Sequence, residues 1–229
     1  MGALVSLKVT KSNDLIEASY KLTLNEQRLV LLAIARLDSR KPMPHGKLTI
    51  RAVEFSETFG VAPKHAYAAL AEAATHLYER DIKTYDGRYR ERFRWVYSVR
   101  YHEREGCVTL GFSPEVTPYL TLLHQRFTSY ELEQIVRLNS PYAIRVYELL
   151  RQFAATGERT IALEQFKERL ELSEQYTRFY DLKRRIIQPA VREINAHTDL
   201  DVRWETVRQR RKIKSLLFVF NKAVQQRLF

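Results

Sequence analysis

The sequence predicts an α+β fold, mainly α, arranged as two tandem winged-helix domains, each a helix-turn-helix followed by a β-hairpin wing. Three observations lead there. The order helix, short strand, helix, helix, hairpin occurs twice; a glycine, Gly46 in one copy and Gly157 in the other, interrupts the chain ahead of each short strand; and 229 residues suffice for two small cores. The expected domains are residues 1–125 and 126–229.

The first copy begins at Thr23 and Glu26, spaced as a capping box, ahead of Val30, Leu31, Ile34 and Leu37 on one face of a helix over 24–37. Pro42, Pro44 and Gly46 interrupt the chain before a short alternating strand, Lys47 to Ile50. A helix over 51–59 stops at Gly60, and the next opens with Pro63 and stacks Tyr67, Leu70, Ala74 and Leu77. Asp86 and Gly87 mark a turn. The alternation of Phe93, Trp95, Tyr97, Val99 and Tyr101 then predicts one half-buried strand, whose aromatic row is read as sheet core rather than a platform for stacking bases. Gly106 turns it back into Val108, Leu110 and Phe112, and Ser113 with Pro114 is expected to start another helix.

The second copy opens with Ser140 and Pro141 capping a helix that carries Ala143, Tyr147, Leu150 and Ala154 and ends at Gly157. Thr160 to Ala162 form a strand, and Leu163, Phe166 and Leu170 pattern a helix. A long helix over 177–196 turns Phe179, Leu182, Ile186 and Ala190 inward. The last hairpin pairs Asp201–Val207 with Ile213–Phe220. Ile50 corresponds to Ile161 or Ala162, although no residue-level repeat links the halves.

Thirty-eight Lys and Arg against 27 Asp and Glu give a net charge of +11, which favours a polyanionic partner. Residues 1–125 hold 18 basic and 14 acidic side chains and residues 126–229 hold 20 and 13, so the excess leans C-terminal. Tyr176 to Lys214 alone holds 11 basic and 5 acidic. No apolar run approaches the roughly 20 residues of a membrane span, and the first ten residues lack the pattern of a secretory signal. Cys107 is the one cysteine, which excludes an internal disulfide and a multi-cysteine zinc site and fits a reducing cytoplasm.

On a helical wheel the oily residues of the 177–196 helix fall within about 80° of one another, while Arg178, Arg184, Arg185, Gln188 and Arg192 gather opposite them. A basic helix face is by default a solvated one. This one sits in the recognition position of a helix-turn-helix, at the centre of the charge excess, and ahead of a basic hairpin turn. Arginine can fork onto guanine O6 and N7, glutamine can pair with adenine N6 and N7, and a helix fits the major groove. Arg178, Lys183, Arg184, Arg185 and Gln188 are therefore the candidate base readers. Arg208, Arg210, Arg211, Lys212 and Lys214 are candidates for backbone contact, because long cations at a turn lack fixed aim, and Arg192, on the helix beyond Pro189, is placed with them. Pro189 is expected to bend the helix near 185–189.

The first domain offers Lys64, His65 and Tyr67 at a helix start and Arg88 and Arg90 at a hairpin for phosphate contact. That helix is rich in Ala and carries Glu72, so packing, including a dimer contact, is an equal reading. Catalytic signals are poor. There is no phosphate-binding loop, the six histidines show no paired-ligand spacing, no tyrosine stands beside a histidine pair, and Cys107 is read as a buried strand residue. Neither cofactor nor metal is expected.

Two blocks carry a resemblance: Ser12, Asn13, Asp14, Leu15, Ile16, Glu17, Ala18 with Leu24, Asn25, Glu26, Gln27, Arg28, and the run from Leu182 through Pro189 to Asn195. They resemble the replication initiator proteins of iteron-containing bacterial plasmids over nearly the whole chain. The resemblance implies paired winged-helix domains, monomers on direct repeats at the origin, opening of an adjacent AT-rich segment, and recruitment of the host initiator and replicative helicase. It also implies dimers that bind an inverted operator and repress their own gene. Arginines matching Arg178, Arg184 and Arg185 would read sequence, and the N-terminal domain would touch backbone as a monomer and form the interface as a dimer. The alternatives are a transcription regulator with no role in replication, a DNA-nicking enzyme using a tyrosine, and a structural module that binds protein partners through the N-terminal domain alone.

Overall fold

In the computed structural model, which describes residues 7–85 and 87–222, the chain divides between Val136 and Arg137 into two units. The break falls beyond residue 125 because the first strand, β1 (Lys8–Ser12), pairs antiparallel with β7 (Phe127–Glu131). Those strands were not legible: each is five residues long and rich in polar side chains. Of the segment read for a leader, residues 1–6 lie outside the described residues, as does Asp86 of the expected turn.

In the first unit Ser12 caps α1 (Asn13–Glu17), accepting from the Asp14 amide at 3.1 Å, and Leu15 and Ile16 are fully buried. The capping box of Thr23 and Glu26 opens α2 (Leu24–Ala35). This helix is buried from Glu26 through Ala35, so it is the central rod of the unit rather than a one-faced surface helix, and Leu37 stands beyond its end, half-exposed. The Glu26 carboxylate also takes both arms of Arg80, at 2.9 Å each, a pairing that keeps a charge tolerable at zero exposure. The guanidinium of Arg80 is pushed above its ordinary pKa by that hydrogen bond.

Strand β2 (Lys47–Arg51) leads into α3 (Ala52–Phe59), which ends at Gly60 with φ +66, and α4 (Pro63–Tyr78) starts with its proline in the first turn. The expected single strand is broken in two. β3 (Asp81–Tyr85) pairs with β4 (Arg90–Arg94) in a hairpin of its own, and β5 (Val96–His102) pairs with β6 (Cys107–Phe112) in a three-stranded sheet of order β2-β6-β5. Trp95 at the break is fully buried and meets Tyr20 edge-on. The aromatic row is therefore not uniformly core: the register shifts between Val96 and Ser98, and Tyr97 and Tyr101 are 50% and 44% exposed. Ser113 and Pro114 start a turn and a single 3-10 turn rather than a helix; Ser113 Oγ accepts from the Val116 amide. The unit closes with β7 and α5 (Glu133–Val136).

The second unit follows the expected order. Ser140 Oγ accepts from Ala143 to cap α6 (Pro141–Arg151), buried from Ala143 through Leu150 and holding Arg145 against Glu148 inside the core. Gly157 takes φ +73 where its backbone meets Phe220, and a Cβ there would lie 2.9 Å from the Phe220 carbonyl. β8 (Glu158–Ala162) precedes α7 (Leu163–Arg169). The long helix is composite: α8 (Phe179–Leu182), a π-helical turn (Lys183–Ile187) and α9 (Gln188–His197). β9 (Leu200–Gln209) and β10 (Lys212–Lys222) form the last hairpin, and the sheet order is β8-β10-β9.

Both units therefore place the short strand beside the return strand of the hairpin, with Ile50 opposite Val108 and Ile161 opposite Leu216, all buried. Two winged-helix units in tandem are what the sequence predicts.

Candidate nucleic-acid interface

Proline lacks an amide hydrogen, and its ring collides with the carbonyl four residues earlier. Pro189 would strike Arg185 in an ordinary helix. The chain answers with a wider turn: the Gln188 amide donates to the carbonyl of Lys183, five residues back, and Pro189 falls in the first turn of α9. One extra residue is absorbed there. Ile186 and Ile187 are consequently both buried, followed by Ala190, Val191 and Ile194, while Phe179 is only half-buried.

Opposite that packing, Arg178, Arg184, Arg185, Gln188 and Arg192 are all exposed. Arg178 stands at the N-cap of α8, Arg184 and Arg185 lie in the widened turn, and Gln188 and Arg192 come next in α9. Because the helix continues through Pro189, Arg192 belongs with the arginines before it. Lys183 does not. Its ammonium lies 5.9 Å from the ring centroid of Trp204 on β9 and is half-buried, directed at the sheet of its own unit. Tyr180 was missed by sequence reasoning. It is 65% exposed, unusual for a tyrosine at the start of a packed helix, and sits four residues before Arg184; that spacing was its one available signal.

Two residues within the block that resembles the plasmid initiators position this helix. Glu193 Oε2 accepts from the backbone amides of Asn139 and Ser140, at 2.8 and 3.2 Å, tying α9 to the start of α6. Asn195 donates to the Val202 carbonyl at 2.9 Å and accepts from its amide at 2.7 Å. β9 is the edge of its sheet, so these bonds occupy peptide groups that β10 does not reach.

The hairpin turns through Arg210, at φ +55, and Arg211, between the paired Gln209 and Lys212. Arg208, Arg210, Arg211, Lys212 and Lys214 are all exposed. A register shift between Ile213 and Ser215 places Lys214 at a bulge. Within this unit, helix and wing present a charge set with few acidic side chains among them.

In the first unit Lys64 and His65 are exposed at the start of α4, but Tyr67 is half-buried. Its phenol is held above its ordinary pKa by desolvation, then by Glu103, Cys107 and Tyr101 at the β5–β6 turn. Arg88 and Arg90 lie exposed on the β3–β4 hairpin, stacked over Tyr89 and Tyr85, which are themselves 57% and 64% exposed. That hairpin, hidden in sequence by the apparent continuity of the Phe93–Tyr101 alternation, gathers exposed arginine and tyrosine side chains on one ribbon.

No helix among the described residues is long and apolar enough to cross a membrane. The family described as initiator replication protein, WH1, matches residues 8–151, and the companion initiator Rep protein, WH2, matches residues 162–220. A replication initiation protein of Escherichia coli is 27% identical over 206 residues, 85% of this chain; the chain spans 64% of that relative's length. The PI protein of Escherichia coli is 25% identical over 250 residues, covering 93% of this chain and 82% of the relative. The crystal structure of the Pi initiator protein in complex with iteron DNA superposes with a TM-score of 0.81 at 23% identity, over 97% of this chain and all of that one. With its two winged-helix units in the order WH1 then WH2, the chain belongs to the initiator replication protein family.

Proposed function

We propose that the protein is a sequence-specific duplex-DNA-binding initiator of plasmid replication that recognises iteron repeats through its second unit. The observation that carries this reading is the exposed set Arg178, Arg184, Arg185, Gln188 and Arg192 on a helix whose other side is core, beside a wing tipped by arginines. In a major groove, Arg184 and Arg185 fork onto guanine edges and Gln188 pairs with adenine. Tyr180 supplies apolar contact to a thymine methyl or a hydroxyl to phosphate. Arg208, Arg210, Arg211, Lys212 and Lys214 neutralise phosphates beside the helix. The solved relative is a complex with iteron DNA, which supports the same ligand here.

The protein acts by binding, without a covalent step: it assembles on repeats at an origin, favours opening of neighbouring AT-rich DNA, and draws in the host initiator and replicative helicase. As a homodimer joined through the first unit it represses its own gene on an inverted operator, and in the monomer Lys64, His65, Arg88 and Arg90 hold flanking backbone. It works in the bacterial cytoplasm.

The test is binding of the full chain to its origin repeats against scrambled duplex, by fluorescence anisotropy. Arg184→Ala with Arg185→Ala should reduce repeat-specific affinity by about 1–3 kcal/mol for each base pair read, leaving non-specific binding nearly intact. A folded double mutant with unchanged discrimination overturns the mechanism. Failure of an origin fragment to replicate when the protein is supplied in trans, with repeat binding intact, would instead leave a transcription regulator.

A further inference from the structure

The hairpin of β5 and β6 closes on the pair His102 and Cys107, which face each other in register and so project from the same face. Between them the chain makes one 3-10 turn, Glu103–Glu105, and reverses at Gly106 with φ +61. The Gly106 amide donates to the Glu103 carbonyl, and the Gly106 carbonyl accepts from Ala52 at 2.8 Å, which fastens the turn to the start of α3. This folds Glu105 back over the pair. One ligand atom from each of His102, Glu105 and Cys107 lies within 4.8 Å of the others, with Sγ 3.9 Å from Glu105 Oε2.

We propose that His102, Glu105 and Cys107 form a binding site for a zinc-class divalent cation that staples the wing of the first unit. Imidazole nitrogen, carboxylate oxygen and thiolate sulfur are the three donor types zinc accepts, whereas magnesium and calcium avoid sulfur. Donor atoms around a tetrahedral zinc stand about 3.5 Å apart. Rotation of the exposed Glu105 side chain closes the remaining gap. Thiolate and carboxylate together balance the charge of a dication, and the thiol proton leaves to solvent as the metal binds. The Thr109 hydroxyl, 3.1 Å from His102 Nε2, orients the ring from outside, as second partners of metal-bound imidazoles do. The fourth corner is left for water. Cys107 is 4% exposed, so the sulfur is held for a partner on its own hairpin rather than offered to a passing oxidant.

Paired histidines or cysteines at metal-ligand spacing are absent from the sequence, and a mixed triad spanning a hairpin turn has no such spacing to show. Metal binding at this turn requires neither DNA nor a role in replication.

The test uses the full chain, stripped with chelator and titrated with cobalt(II), then with zinc. One equivalent of cobalt should raise the visible bands of a four-coordinate ion together with near-ultraviolet thiolate-to-metal absorption, and zinc should displace both. Cys107→Ser should abolish the near-ultraviolet band, and His102→Ala should weaken cobalt binding about tenfold or more. Glu105→Gln, on an exposed residue, should do the same while circular dichroism reports a native fold. A folded wild-type chain without thiolate absorption, or Glu105→Gln or Cys107→Ser with unchanged cobalt affinity, overturns the site.

Discussion

The side chain of Asn195 closes both peptide groups of Val202, donating to its carbonyl and accepting from its amide. One residue thereby couples the helix that carries the arginines to the edge strand that leads to the wing. Asn195→Ala removes two hydrogen bonds and leaves the buried Val202 backbone unpaired, at about 1–3 kcal/mol. Urea unfolding of wild type and variant should show that loss, and repeat-specific affinity should fall with it. Asn195→Asp, which can accept but not donate, should lie between them.

The wing should act through charge alone. Arg210→Ala with Arg211→Ala should weaken binding to iteron and scrambled duplex by similar factors and lower the salt slope of log K by about two, one for each phosphate no longer neutralised. Anisotropy titrations at several salt concentrations measure both. A change in preference among repeats with an unaltered slope would place these arginines on bases.

Pro189 sets the widened turn that aims Arg184 and Arg185. Replacing it with alanine restores an amide at 189 and removes the collision with Arg185, so the turn can tighten into ordinary helix. Pro189→Ala should cost less than about 1 kcal/mol in stability yet weaken repeat binding about tenfold, since a small displacement spoils forked contacts. Chemical denaturation and anisotropy on one preparation separate the two effects.

Tyr147 lies buried with its hydroxyl donating to Asp199 Oδ1 at 2.9 Å, beside Arg151 on Oδ2. Desolvation foremost, and then Asp199, push its pKa well above the ordinary tyrosine value. The unfolded chain ionises this phenol near pH 10 while the folded chain keeps it neutral, so the folded state binds more protons above that pH. The contribution is intact below about pH 10 and declines as pH rises further. Tyr147→Phe should cost about 1 kcal/mol at neutral pH, and its deficit relative to wild type should shrink in denaturant melts above pH 10.

How much of this was legible depended on whether a pattern was local. The Thr23–Glu26 box, Ser140 with Pro141, Gly60 and the opposed faces of the 177–196 segment are relationships within a few residues, and each stands where the sequence put it. What escaped required partners far away. β1 was unreadable without β7, and the break at Trp95 was masked because period-two alternation continues across two different sheets. Lys183 looked like another groove-facing cation until Trp204 supplied an aromatic face for it, and Tyr180 lay on the arginine side without the charge that drew attention there.

The pairing of β1 with β7 has a consequence for biosynthesis. A chain emerging from the ribosome exposes Lys8–Ser12 long before its hydrogen-bonding partner at Phe127–Glu131 has been made, so the first unit cannot seal until its final strand leaves the exit tunnel. Products terminated prematurely ahead of residue 127 would retain an open strand margin, prone to recruit other nascent chains and to attract proteolysis.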